Sequence, residues 1–400
     1  MKVTIISYSD SKGGAGIAAS RQFHALKKNG IDAKLLVIDN FYTYSIPIAK
    51  NFFDKIRSKL FFIMERLFFL PNEKSKEVRF KFNNSYFGFD LHNHPAVLEA
   101  DIIHLHWINF GTISYKSLEK LLNSKKSIFH TLHDSWIFTG GCHLPGECTN
   151  FINECGNCQF LKQPNEKDIS NFNWKNKKKI ILNSKIKFIA CSNWIKNKAL
   201  KSSILVNKEI FTLGNPINTE LYKNSNQTKP INRLLFISSN ILDEKKGFNY
   251  LVEALNHLED KKFELVLIGK NSTKTSFSNE NIKLLTHEFI PSEDLIEFYA
   301  SSSVLIFPSL EDNLPNTIME SMACGTPVVA FKTGGIPEMI DHKINGYLAN
   351  YKDSNDLAKG IQYLLENDLS YQARKKIEEN FSEKVIAEKL IKLYQSTLNE

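Results

Sequence analysis

The sequence predicts two doubly wound α/β domains in tandem, each a parallel sheet with helices on both faces. Three observations carry that prediction. Short β-rich runs alternate with helical patterns along the whole chain, the mark of parallel α/β sheets. The alternation breaks once, at Gly214-Asn215-Pro216 and the polar stretch 224–229, which reads as a linker. The chain has 400 residues, enough for two domains of about 100–200 residues each. A hydrophobic share of 42% beside 24% charged residues supports packed cores and excludes disordered or fibrous classes.

In the first domain, 1–213, strands are predicted at 3–7, 34–38, 102–106, 127–132, 188–191 and 210–213, with helices at 15–28, 116–122 and 193–200. The second domain, 214–384, repeats the logic. Its strands are predicted at 234–238, 263–268, 282–285, 304–307, 327–330 and 346–349. Its helices are predicted at 248–258, 293–301, 314–324, 337–341 and 354–365. Two terminal helices close the chain. The last, 385–400, shows Ile386, Leu390, Tyr394 and Leu398 at helical spacing, so one face is apolar and must pack. It is expected back on the first domain.

Ligands of such sheets sit outside the carboxyl ends of the strands, so the loops after each strand are the ones to inspect. The first loop, running from Asp10 to Arg21, is glycine-rich and opens a helix; Gly13 and Gly14 let the backbone approach a ligand closely. It lacks the full G-x-G-x-x-G spacing, which disfavours a nicotinamide oxidoreductase. Asp101-Ile-Ile-His-Leu-His-Trp107 and His130-Thr-Leu-His-Asp-Ser-Trp136 end their strands in polar and aromatic groups. His106 and Trp107 suit a platform for a sugar, whose C–H faces pack on aromatic rings. A satisfied core histidine is the alternative for His104 and His106.

Cys142, Cys148, Cys155 and Cys158 cluster in one segment, with Cys155-x-x-Cys158 at metal-knuckle spacing. In a reducing compartment they favour a structural zinc site, with His143 as an alternate ligand, over a disulfide framework. Reduced thiols packing a loop are the alternative. Residues 51–70 are rich in large apolar side chains. Phe53, Ile56, Leu60, Met64 and Leu67 recur at helical spacing beside Lys55, Lys59 and Arg66. Such a basic amphipathic helix lies in a membrane interface or folds down as a lid on its own domain.

The richest stretch is Phe307-Pro-Ser-Leu-Glu-Asp-Asn-Leu-Pro-Asn-Thr-Ile-Met-Glu-Ser-Met-Ala-Cys-Gly-Thr-Pro-Val-Val-Ala330. It reads as strand, turn, helix, glycine, strand. Asn313 can cap the helix and Pro315 fits its first turn. Gly325 ends it and Pro327 opens the next strand. The helix N-terminus offers unpaired N–H groups and a positive dipole end, which together make an anion site.

This stretch resembles glycosyltransferase family 4, whose signature is two acidic residues separated by seven others and then an Ala-x-Gly-x-Pro-Val-Val run. Asp312 and Glu320 take the acidic positions here. The family usually carries Glu at the first, and neighbouring Glu311 offers the longer reach. The resemblance covers essentially the whole chain and implies the GT-B fold, two Rossmann-like domains facing across a cleft. The segment from His130 to Cys158 looks like the branch acting in bacterial exopolysaccharide, capsule or O-antigen assembly.

What the resemblance implies is a retaining transfer from a nucleotide-diphosphate sugar to a saccharide or lipid-linked acceptor. The first acid would contact the donor sugar, Glu320 would hold the ribose, and amides of Asn313, Leu314, Pro315 and Asn316 would surround the diphosphate. Proline has no N–H, so its share is positional. In 236–247, FISSNILDEKKG, Lys246 would stabilise the leaving diphosphate. Ser239, Asn240 and Lys245 stand where relatives often place an Arg. Gly13 and Gly14 match the donor loop, and His133 with Asp134 the histidine site near the reacting carbon. No cofactor is required for catalysis.

Residues 1–210 carry 31 Lys+Arg against 17 Asp+Glu, a net of +14, while 211–400 carry 20 against 26, a net of −6. The basic half points to an anionic partner such as a membrane. No nucleic-acid recognition motif is visible, so no nucleic-acid partner is expected. No secretory leader or membrane-spanning run is read, so a cytoplasmic protein, peripheral on the inner face of the plasma membrane, is expected. A nucleotide-sugar epimerase and a non-catalytic carbohydrate-binding protein on the same fold are the rival readings.

Overall fold

The computed structural model describes residues 1–223, 232–277 and 279–399. The polar stretch 224–229 lies outside the described residues. The chain divides into two compact units, one formed by Met1–Asn215 with the chain from Ile386 onward, the other by Pro216–Val385. Both are parallel-sheet, Rossmann-like α/β units.

The N-terminal unit runs β1 (Lys2–Ser9), α1 (Gly13–Lys28), β2 (Asp32–Asp39), β3 (Ile46–Pro47), α2 (Phe52–Phe69), α3 (Pro95–Glu99), β4 (Ile102–Leu105), α4 (Tyr115–Leu122), β5 (Ser127–Leu132), α5 (Ile169–Leu182), β6 (Lys187–Ala190), α6 (Asn193–Lys201) and β7 (Ile210–Thr212). Its strands order as β3-β2-β1-β4-β5-β6-β7, all parallel. Alternation along each strand feeds two cores. Ile6, Leu36, Ile103 and Ile128 enter one, while Ile5, Leu35, Val37 and Phe129 enter the other. Strands buried on both faces therefore read as continuous apolar runs.

The C-terminal unit runs β8 (Arg233–Asn240), α7 (Phe248–Asn256), β9 (Phe263–Lys270), β10 (Ile282–His287), α8 (Leu295–Ser301), β11 (Val304–Phe307), α9 (Asn316–Ala323), β12 (Val328–Phe331), β13 (Gly346–Ala349), α10 (Ser354–Glu366) and α11 (Ser370–Phe381). Its strand order is β10-β9-β8-β11-β12-β13. In both sheets the winding reverses once, between β1 and β4 and between β8 and β11, and the crevice outside such a reversal is where ligands bind. Helix α12 (Glu383–Leu398) returns to the N-terminal unit, where Leu390 and Tyr394 pack with Val3, Ile5 and Phe23. Leu398, counted in the same stripe, is 43% exposed.

Strand β3 and helix α3, two and five residues long, were not expected, and three further elements differ from expectation. Helix α5 carried no apolar period because its buried positions include Ser170, Asn171, Asn173 and Lys177. Asp168 caps it, accepting from the Ser170 and Asn171 amides. The helix expected at 337–341 is only the 3-10 turn Ile336–Glu338, since the chain turns at once toward β13. Helix α9 starts at Asn316, later than expected, with Pro315, which has no capping side chain, in the cap position.

Candidate functional site

In the C-terminal unit the loops leaving β8 and β11 are stitched together. The Leu310 amide donates to the Lys245 carbonyl at 2.8 Å, and Ser309 Oγ reaches the same oxygen at 3.3 Å. Gly247 follows with φ +71°, and a Cβ there would stand 1.9 Å from the Pro308 carbonyl oxygen. Only glycine serves a left-handed position against that backbone. Gly334 repeats the device under Asp312, with φ +61° and a Cβ 1.8 Å from the Asp312 carbonyl oxygen. The loops so fixed place Lys246 Nζ 3.3 Å from Asp312 Oδ2 and Lys245 Nζ 3.9 Å from Glu311 Oε2. Both pairs sit at the winding reversal, beside the start of α9. Asn313 and Leu314 are buried in the turn leading to it.

Glu320, one face further along α9, is 7% exposed and accepts a 2.7 Å hydrogen bond from Tyr299 Oη on α8. Burial, then the neighbouring Glu320, pushes the Tyr299 phenol well above its ordinary value, so it remains a donor. Tyr299 was not singled out from the sequence. It stands 21 residues from Glu320 on a different helix, and no local pattern links the two.

In the N-terminal unit the ends of β1, β4 and β5 gather a second polar group. The Tyr8 amide donates to the Trp107 carbonyl at 2.8 Å. His106 Nδ1 lies 2.8 Å from His133 Nε2, one donating and the other accepting. His106 is 2% exposed, so its ring backs His133 and does not present a surface to a sugar. His104 is fully buried against Thr131, Gln22 and Tyr394, a core histidine. Burial holds His130 and His133 down to about 4 and His104 and His106 well below the ordinary imidazole value, so all four are neutral near pH 7.

Trp107 Nε1 donates to Asp134 Oδ2 at 2.9 Å, and His143 Nδ1 meets the same oxygen at 2.7 Å. Burial pushes the Asp134 carboxyl up. The His143 contact, the Trp136 amide and the Trp107 indole outweigh burial and hold it below its ordinary value. Part-exposed Trp107 also packs edge-on to Tyr8 and Phe110. Gly13 opens α1 at φ +70° with open space around its Cβ position, and Gly14 follows in the first turn.

All four clustered cysteines line one cavity of about 20 Å³, and all are free thiols. Burial pushes the Cys142 thiol up to about 11 and Cys158 up to about 12, with Cys155 raised too, so these thiols are protonated. Among the described residues no three His, Cys, Asp or Glu side chains are grouped to hold a metal ion. His143 is turned to Asp134 instead. Beneath the loop, Lys177 Nζ donates to the Trp136 and Thr139 carbonyls and stands 4.0 Å over the Trp136 ring. Burial pushes its ammonium down to about 7. Cys191 and Cys324 are buried. Arg66, expected on the basic face of α2, instead turns inward to the Arg79 and Phe82 carbonyls.

Two Rossmann-like units, each a parallel sheet whose winding reverses once, define the GT-B fold class. Residues 222–384, most of the C-terminal unit, match the family model described as "Glycosyl transferases group 1". An uncharacterized glycosyltransferase of Haemophilus influenzae is 30% identical over 191 residues, 45% of this chain and 53% of that protein. The amylovoran biosynthesis glycosyltransferase AmsK of Erwinia amylovora is 29% identical, over 38% of this chain and 42% of its own length. The chain thus spans about half the length of the curated relatives it matches. Among solved structures, a sucrose-phosphate synthase from Thermosynechococcus elongatus aligns with a TM-score of 0.67 at 17% identity, covering 100% of this chain and 99% of its own. Anabaena HepE in complex with UDP-glucose aligns with a TM-score of 0.60 at 16% identity, covering 99% and 100%.

Proposed function

We propose that the chain is a retaining glycosyltransferase. It moves a hexose or related sugar from a nucleotide-diphosphate sugar onto a saccharide or lipid-linked acceptor in cell-surface polysaccharide synthesis. The observation that carries this reading is Lys246, fixed beside Asp312 where β8 and β11 diverge and α9 begins. An ammonium and helix amides preorganised at one point stabilise charge that develops on a departing diphosphate. The names of relatives in amylovoran and capsular polysaccharide synthesis support the same direction.

In this reading the bond from the sugar's anomeric carbon to the diphosphate oxygen breaks, and the electron pair leaves with the nucleotide diphosphate. The acceptor oxygen bonds to that carbon from the same face, and its proton passes to the departing phosphate. Asp312, released from Lys246 as the diphosphate takes its place, contacts the sugar hydroxyls, with Glu311 beside it. Glu320 holds the ribose. Neutral His133, backed by His106, donates or accepts at the sugar, and Trp107 packs on the acceptor. Gly13 and Gly14 give the donor room. The enzyme works in the cytoplasm at the inner face of the plasma membrane. Catalysis needs no bound cofactor. A structural zinc on Cys142, Cys148, Cys155 and Cys158 is a separate proposal, refuted if purified protein contains no zinc by emission spectrometry.

The test is nucleotide-diphosphate release from uridine-, guanosine- and thymidine-diphosphate sugars, with and without saccharide acceptors, followed by NMR of the product's anomeric proton. Acceptor-dependent release with retained configuration is expected. Conversion of donor without acceptor would make the protein an epimerase, and no turnover with any donor would leave a binding protein.

A further inference from the structure

Helix α2 buries one side and leaves an apolar side bare. At about 100° per residue, Glu65 and Phe69 fall on one side of the helix and Phe52, Phe53, Ile56, Leu60, Met64 and Leu67 on the other, within an arc of about 120°. The first side is buried in the unit. The second is bare: Phe52 is 71% exposed, Phe53 79%, Leu60 50% and Leu67 59%. A helix facing water on one side ordinarily carries polar residues there. A contiguous apolar face of this kind marks a binding surface.

The margins of the bare arc are basic. Lys55 and Lys59 border one edge, and Arg57 borders the other, its guanidinium 5.0 Å over the Phe61 ring. On the Lys59 edge the helix roofs an open pocket of about 260 Å³, lined by Tyr8, Ser58, Lys59, Phe62, Ile63 and Phe110. The pocket offers aromatic walls with one ammonium and two hydroxyls, those of Ser58 and Tyr8, which suits the polar end of an amphiphile whose tail lies along the bare face.

We propose that α2 is the surface by which this protein lies on an anionic phospholipid bilayer. Its Phe52–Leu67 face would enter the acyl boundary, with Lys55 and Lys59 at the phosphates. Charge selects this occupant. Residues 1–210 carry a net +14, which attracts an anionic leaflet and opposes pairing with the same face of a second copy. Depth selects it too, because long lysine stems at the margin of an apolar face keep their ammonium groups at the headgroup level. Among the described residues no helix is long and apolar enough to cross a membrane, so the contact is one of lying on the surface. Such a surface would bring the enzyme to a lipid-linked acceptor, and to that extent rests on the proposed reaction; its binding to lipid does not.

Flotation of the full chain with phosphatidylcholine vesicles, with and without phosphatidylglycerol, tests it. Wild type is expected to float with the anionic vesicles only, less so at high salt. Phe53→Ser/Leu60→Ser/Leu67→Ser should lower the bound fraction at least about tenfold, with unchanged melting because the sites are exposed. Lys55→Glu/Lys59→Glu should lose most binding and its salt dependence. Three results would overturn the proposal: no flotation of wild type, equal flotation of the triple serine variant, or a wild-type dimer that this variant turns into monomer. Nucleotide-sugar binding, followed by thermal shift on the same samples, fails independently and would then strike the proposed reaction alone.

Discussion

Replacing Lys246 by methionine separates a catalytic cation from a structural ion pair. The ammonium lies 3.3 Å from Asp312 Oδ2, with side chains 28% and 23% exposed. At an effective dielectric of about 20 the bare attraction is about 5 kcal/mol. Partial exposure and salt reduce such pairs to about 0–1 kcal/mol of net stability. Folding should therefore change by less than about 1 kcal/mol in urea titration. A departing diphosphate gives a different magnitude. Loss of one preorganised charge-stabilising group costs about 2.7–4 kcal/mol, a factor of about 10²–10³ in kcat. The assay is nucleotide-diphosphate release at saturating donor, with Asp312→Asn as companion. A Lys246→Met enzyme within about threefold of wild type in kcat would refute the reasoning.

Gly247→Ala puts a Cβ on the Pro308 carbonyl at a left-handed φ of +71°. It should cost at least about 1–2 kcal/mol and weaken nucleotide binding; a melting curve like wild type would count against the stitched loops. The N-terminal unit should weaken in acid. His130 and His133 have folded values of about 4. The unfolded chain therefore binds more protons between about pH 4 and 6.5, and stability, full above about pH 6.5, is lost as pH falls through about 4. A urea midpoint flat across that range would contradict their burial. Tyr394→Phe deletes a buried hydroxyl that meets His104 Nδ1 and Gln22 Nε2, and should cost about 1–3 kcal/mol. Hydrogen exchange at β1 and β2 should quicken, and unchanged exchange would refute that coupling.

The strands were legible because a parallel sheet buries both faces, so Ile5-Ile6 and Leu35-Leu36-Val37 stand out against polar turns. Lys246 and Asp312 were each readable from their own segments. Their ion pair was not, since 66 residues separate them and only the reversal between β8 and β11 joins them. Glu320 was found without Tyr299 for the same reason. Local rules failed where backbone competition decided. The helix was expected from Leu314, yet Pro315 stands in the cap position and α9 begins after it. Arg66 looked like a surface cation by spacing, but unpaired carbonyls at Arg79 and Phe82 draw it inward. Cys142, Cys148, Cys155 and Cys158 line one cavity, but α5, which gives Ser170 to its wall, was not read because its polar buried face left no period.

Helix α12 imposes an order of events on biosynthesis. Val3, Ile5 and Phe23 emerge from the ribosome well before the partners that cover them, Leu390 and Tyr394, are translated. Domains generally fold as they are made, at about 5–20 residues per second. Here the earliest unit must wait roughly 20–80 s for its lid of side chains, holding that sheet face open to solvent or chaperone while the second unit folds to completion. A stop codon late in the gene would thus damage the half of the protein that was synthesised first.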